Sequence, residues 1–356
     1  MPIEPNTLNM DWCRCNLPVC CTAVMLPARF DSRAVKPQDA GDWTHMELRG
    51  IGIDINDQRV NGDLEVLRRE LDYFQACAFD VVELTTSGLF FVFNGNLHVK
   101  RARAIEKVLQ GYPFHYTLHL PDCLNLGSLP EWELEKRIFC SCMDFAELVA
   151  ATILVYHTGQ DYLDAASGDE KKRAMELETA ALAEMADRAK SAVIMVTVEN
   201  QNPRPGESQL LADRGIPRER LKEVHPGLFP DAIGRQIEEI NSPNLGMTLD
   251  IGHLFLAVEL TGQDFLSAVG NQAGLVKHLH VNDNFGKNPS PLRSRMEQTL
   301  YGQGDCHLPL GLGALPFREC FKLLGGYTGY VIFEIRPEYR GYLPESIRIL
   351  KRTAGI

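Results

Sequence analysis

The chain has 356 residues, 45% of them hydrophobic and 23% charged, a composition that fits a globular protein and excludes a disordered or fibrous one. Its net charge of −11 argues against a broad basic surface that binds phosphate backbones by counterion release. No apolar run approaches the ~20 residues that span a bilayer, and no basic segment followed by a hydrophobic stretch opens the chain, so a cytoplasmic protein without membrane contact is expected.

Residues 1–44 read as an N-terminal extension containing Cys13, Cys15, Cys20 and Cys21. Ten cysteines in a chain of this size do not make a disulfide scaffold. The four early ones lack the paired C-x-x-C spacing of a structural zinc site, so a loosely docked leader with incidental thiols is expected. From residue 45 to residue 356, short β-rich runs alternate with helical patterns, the mark of repeated βα units. The predicted strands are Leu48 to Ile55, Asp80 to Leu84, Phe114 to Leu120, Thr152 to Tyr156, Val193 to Glu199, Gly246 to Asp250, Val276 to Val281 and Tyr330 to Glu334. Between them, Leu64, Leu67, Leu71 and Phe74, or Leu177, Ala181 and Met185, have the spacing of outer helices. Long loops follow the fifth strand (residues 201–228) and the seventh (residues 282–315). No G-x-G-x-x-G follows the first strand, so eight alternations predict a closed (β/α)8 TIM barrel over an open doubly wound sheet.

Active sites in such barrels collect where the strands end in the C-terminal direction. Here those ends carry His119, His157, Glu199, Asp250, His280 and Glu334. Three more candidates lie in loops: His253, three residues after Asp250, and Asp305 with His307 in Asp-Cys-His. Imidazole and carboxylate suit zinc and similar divalent ions. A lone histidine is more often a hydrogen-bonded structural residue, but six such residues on consecutive strand ends point to a metal centre.

These residues resemble the endonuclease IV family of apurinic/apyrimidinic endonucleases, within the xylose-isomerase-like barrel superfamily. The likeness runs from about residue 47 to residue 350. It includes His119-Leu-Pro, His157 in Tyr-His-Thr-Gly, Glu199 in Val-Glu-Asn, Asp250-Ile-Gly-His253, His280-Val-Asn-Asp283, Asp305-Cys-His307 followed by Gly311 and Gly313, and Glu334 in Phe-Glu-Ile-Arg. The resemblance implies up to three zinc ions: one on His119, His157 and Glu199, a second on Glu199, Asp250, His280 and Glu334, and a third on His253, Asp305 and His307. Manganese, iron or cobalt would suit the same donors. The related sugar isomerases and epimerases usually need only the four donors corresponding to Glu199, Asp250, His280 and Glu334.

On the nine candidates, the sequence favours a metal-dependent hydrolase of a phosphoester or related small molecule, since a coordinated hydroxide is a nucleophile near neutral pH. The alternative is a metal-dependent sugar or sugar-phosphate isomerase or epimerase, with Glu199 and Glu334 as the catalytic acid/base pair. Asn200, Asn282 and Arg336 are the substrate-contact candidates in either case. DNA-bound relatives push bulky side chains into the duplex after the third strand, where this chain has Asp122 and Cys123, and Thr85 to Phe91 after the second strand offers no arginine. A small, phosphorylated or sugar-like molecule is therefore the expected partner, and duplex DNA is not.

Overall fold

The computed structural model describes residues 46–158 and 168–356; the cysteine cluster and the N-terminal extension lie outside them. Eight parallel strands form a closed barrel: β1 (Gly50–Ile55), β2 (Val81–Thr85), β3 (His115–His119), β4 (Ile153–His157), β5 (Met195–Glu199), β6 (Leu245–Asp250), β7 (Val276–Val281) and β8 (Tyr330–Phe333). Each strand pairs with the next in sequence, and β8 closes on β1. The strands lie within two residues of the bounds predicted from the sequence, because runs such as Val-Val-Glu-Leu-Thr and Ile-Leu-Val-Tyr-His are short, β-branched or aromatic, and flanked by helix or turn signals.

Outer helices cover the barrel as the apolar spacing predicts. Leu67, Leu71 and Phe74 of the helix Leu64–Ala76 are buried, as are Ala181 and Met185 of Gly168–Ala192. Side chains two apart on a strand share a face, so the barrel interior is layered. An apolar layer toward the N-terminal ends contains Val81, Ile153, Met195 and Tyr330. Above it lies a polar layer of Glu83, Thr117, Thr197, Thr248 and His278, all fully buried. That layer departs from the branched aliphatic filling usual in these barrels, and it forms the floor beneath the strand-end donors.

The two long loops are more ordered than their Pro and Gly content suggests. Residues 201–228 contain the helix Glu207–Asp213 and the short turns Arg218–Arg220 and Leu221–Val224. Leu211, Leu221, Leu228 and Phe229 build a small apolar cluster with Ala257, whose burial offsets the ordering cost of so long a connection. After β7, the helix Arg295–Tyr301 starts on a capping box in which the Ser294 hydroxyl and the Glu297 carboxylate satisfy each other's backbone N–H groups. A hairpin, Val92–Phe93 with Asn96–Leu97, turns on Asn94 and Gly95, both in the left-handed region. Among the described residues, no helix is long and apolar enough to cross a membrane.

Candidate metal centre

The strand register brings the sequence candidates to one level. Asp250 lies opposite His280, and His157 lies opposite Glu199. A continuous series of contacts runs through all nine. His157 Nε2 and His119 Nε2 lie 2.8 and 3.1 Å from Glu199 Oε2. His280 Nδ1 lies 2.9 Å from Glu199 Oε1 and 3.2 Å from Glu334 Oε1. His307 continues the series, 3.9 Å from Glu334 through Nδ1 and 2.6 Å from Asp305 through Nε2. His253 Nε2 then approaches Asp305 at 3.3 Å and Asp250 at 3.8 Å.

The donors lie close enough together for several overlapping ligand groups, as expected of sets that share Glu199. Groups close enough to share an ion include His119, Glu199, His280 and Glu334; His157, Glu199 and His253; and His253, His307 and Glu334. Glu199 belongs to two of these groups and Glu334 to two, so these carboxylates join what would otherwise be separate sites. Asp122, expected only as a departure from a DNA wedge, joins His119 and His157 in a further group. Buried carboxylates and imidazoles within mutual ligand distance, with no lysine among them, suit a divalent ion.

In three of the imidazoles the second nitrogen fixes the ring orientation. His119 Nδ1 donates to the Leu120 carbonyl at 2.7 Å, His253 Nδ1 to the Asn200 carbonyl at 3.0 Å, and His307 Nδ1 to the Glu334 carbonyl at 2.7 Å. Each leaves Nε2 facing the cluster. His307 sits in the left-handed region at φ 44°, a local backbone cost of the kind that functional sites retain.

Side-chain electrostatics push the two central carboxyls apart. Burial works to raise Glu199, but the imidazoles of His157 and His280 and the hydrogen bonds from His119 and His157 hold it well below the usual carboxylate range. Burial raises Glu334 well above that range; His280 opposes the shift, while Asp250 and Glu199 reinforce it. Burial disfavours charge on His119, yet the hydrogen bond and charge of Glu199 outweigh it and push the imidazole up to about 10. Asp305 does the same for His307, which rises to about 9.

The three residues expected to touch substrate hold the framework together. Asn200 Oδ1 accepts from the Asp250 N–H and its Nδ2 donates to the Asp250 carbonyl, both at 2.9 Å. Asn282 Nδ2 lies 3.5 Å from Asp250 Oδ2. Arg336 donates to Thr299 Oγ1 at 3.1 Å and to the Asp305 carbonyl at 2.7 Å, tying the loop after β7 to the end of β8. Asp283 has a similar role: its carboxylate accepts from the backbone N–H groups of Asn284, Gly311, Gly313 and Leu315. A Cβ on Gly313 would lie 2.3 Å from Asp283 Oδ1, so only glycine fits that close approach.

Above the donors opens a cleft of about 290 Å³ lined by His119, His157, Gln201, Asn202, His253 and Glu334, with Arg204 and Arg295 also on its walls. Gln201 and Asn202 were not singled out in the sequence. Their positions just beyond Glu199 at the end of β5 are the signal that could have found them. Asn202 Nδ2 donates to Asp305 Oδ2 at 3.1 Å, linking the two long loops across the cleft.

Residues 71–353 match a protein family described as a xylose isomerase-like TIM barrel. An uncharacterized protein of Methanocaldococcus jannaschii is 23% identical over 261 residues, covering 72% of this chain and 74% of that protein. Among solved structures, a D-tagatose 3-epimerase-like protein aligns with a TM-score of 0.60 at 20% identity, covering 85% of this chain and 98% of its own. A D-psicose 3-epimerase aligns at 0.59 with 13% identity, covering 86% and 100%. The 3-keto-D-glucoside 4-epimerase of E. coli aligns at 0.57 with 14% identity, covering 86% and 99%. At these identities, the structural likeness establishes the fold.

Proposed function

This chain belongs to the xylose isomerase-like TIM-barrel family, and from that premise we propose that it is a metal-dependent isomerase or epimerase of a small polyhydroxylated aldehyde or ketone. The observation that carries the reading is the pairing of Glu199 and Glu334 on either side of His280 Nδ1, at 2.9 and 3.2 Å, beneath a polar cleft. Two carboxyls whose environments push their proton affinities in opposite directions form an acid/base pair. The resemblance of the fold to several sugar epimerases supports the same choice. Against the sequence-based preference for hydrolysis, these observations move isomerisation into first place.

Glu199, Asp250, His280 and Glu334 would hold one divalent ion, which when bound would polarise the substrate carbonyl. Glu199, kept ionised by its histidines, is the base that takes the proton from the carbon beside the carbonyl. Glu334 handles the proton on the opposite face of the resulting enediol. His157, Gln201 and Asn202 offer hydrogen bonds to hydroxyl groups, and Arg204 and Arg295 suit a terminal phosphate. Incubating the Mn2+-loaded protein in D2O with free and phosphorylated ketoses tests the reading. Deuterium should enter at the carbon beside the carbonyl, and E199Q and E334Q should each lower the exchange by about 10²–10⁴-fold.

A second reading has one specific observation behind it. The nine donors form an unbroken series of contacts, more than one ion requires, which favours a multi-ion hydrolase of a phosphoester. Phosphate release from simple phosphoesters, lost on removal of His253 or His307, would support it.

A further inference from the structure

We infer that Glu83, buried in the barrel interior below the metal centre, is a positioning residue that fixes which nitrogen of His280 faces the ion. This rests on the metal-site reading proposed above but not on the reaction assigned to it. The clue is a reversal. His119, His253 and His307 each turn Nε2 toward the donor cluster and anchor Nδ1 on a backbone carbonyl. His280 turns Nδ1 toward Glu199 and Glu334 and sends Nε2 down into the barrel, 2.8 Å from Glu83 Oε1.

Both groups are fully buried, and among the described residues neither His280 Nε2 nor Glu83 Oε1 makes a well-directed hydrogen bond to any partner, so the two meet as a close polar contact 2.8 Å apart. The 2.8 Å contact is therefore the polar interaction available to each. Glu83 itself is held from the other side. Its Oε2 accepts from Thr117 Oγ1 at 2.8 Å and lies 2.8 Å from His278 Nε2. The barrel register sets Glu83 beside Thr117, and the two-residue strand repeat sets His278 beneath His280. One carboxylate thus gathers three groups from β3 and β7.

A carboxylate accepts hydrogen bonds and cannot donate them. Facing His280 Nε2, it requires the ring proton there and leaves the Nδ1 lone pair directed at the cluster. A carboxylate behind a metal-binding imidazole fixes its tautomer and increases its basicity. The same negative charge, deep in the barrel and ion-paired among the described residues with His278 and His280 rather than with a lysine or arginine, is retained only if it is paired. A Glu83→Gln variant loses the negative charge and keeps one acceptor oxygen where the carboxylate has two, so it can accept from His280 Nε2 or from the Thr117 and His278 side but not from both.

The test uses the full chain, stripped with a chelator and titrated with Zn2+ alone under chelator competition. E83Q should bind about 10–100-fold more weakly than wild type, the range seen when such supporting partners are removed. T117V, which removes one hydrogen bond to Glu83 but leaves the carboxylate, should lower the melting temperature while keeping affinity close to wild type. Equal affinity in wild type and E83Q would overturn the inference, as would an equal loss in T117V. If E83Q does not fold, 15N-labelled histidine spectra of the Zn2+-loaded wild type decide the matter. A retained His280 Nε2–H with zinc on Nδ1 supports the inference, whereas ligation through Nε2 overturns it. A wild type that binds no Zn2+ overturns the metal reading and this inference together; failure in the variant alone overturns only the inference.

Discussion

Glu199 and His280 stand on barrel strands, and Glu334 immediately follows one, its backbone N–H still donating to Val281 at 3.1 Å. Asp305 and His307 instead ride on the connection after β7. They are held by the Asp283–Leu308 bridge, the glycine N–H groups that satisfy Asp283, and Arg336. The first set is fixed by the pleat and register of the sheet. The second is fixed by side chains that could change without disturbing the barrel. On the proposed reading, this division would separate the acid/base pair from an extra set of donors that would set how many ions bind.

The largest expected effect lies on the strand side. E199Q or E334Q should reduce proton exchange and turnover by about 10²–10⁴-fold, the scale of general acid–base catalysis, with KM changing far less. On the loop side, D305N or H307A should remove any ion beyond the first while leaving turnover within about the 10–100-fold expected of a supporting partner. Metal content by elemental analysis, set beside kcat, checks the pair. Loss of all activity in H307A would erase the distinction and restore hydrolysis as the better reading.

Gly313 probes the support beneath the loop donors. G313A places a Cβ 2.3 Å from Asp283 Oδ1 and 2.4 Å from the Asn284 carbonyl, a clash expected to cost about 1–3 kcal/mol. Denaturant unfolding should show that loss, and metal analysis should show the loop ion lost before the one on the strands.

The smallest effect is a pH dependence of the chelator-stripped protein. His119 and His307 have proton affinities raised to about 10 and about 9, above the unfolded value near 6.5. Their contribution to stability is therefore fully present below that value and is lost as pH rises through 9 and then 10. Glu199 and Asp305 are depressed; their contribution is present above the ordinary carboxylate range and disappears as pH falls through their folded values. Thermal melts of the stripped protein should weaken on the alkaline side, while Zn2+ affinity should increase with pH as the same imidazoles lose protons.

Much of this was legible in the sequence, for reasons that differ between residues. The strands could be read because buried parallel strands are short apolar runs, and His119, His157, Glu199, Asp250, His280 and Glu334 because each breaks its run at the C-terminal end. Glu83 and His278 escaped attention although they lie within predicted strands. The two-residue repeat that places His278 below His280 was available, but their polar surroundings inside the barrel were not. Asn200, Asn282 and Arg336 were chosen for a substrate role by chemistry, and the structure adds the bonds by which they hold Asp250 and the loop after β7. The Ser294–Glu297 capping box was a readable local signal within a segment read as a loop, and the Asn94-Gly95 turn was another that the sequence reading did not use. The order in residues 201–228 depends on tertiary burial of Leu211, Leu221 and Leu228, which no local pattern encodes.

The central claim is most directly tested by solvent-proton exchange at a sugar carbon. Mn2+-loaded protein in D2O, offered a panel of ketopentoses and ketohexoses with and without phosphate, should introduce one deuterium beside the carbonyl of at least one sugar, and E334Q should do so about 10²–10⁴-fold more slowly. No exchange with any member of the panel, together with hydrolysis of a phosphoester that depends on His307, would contradict it.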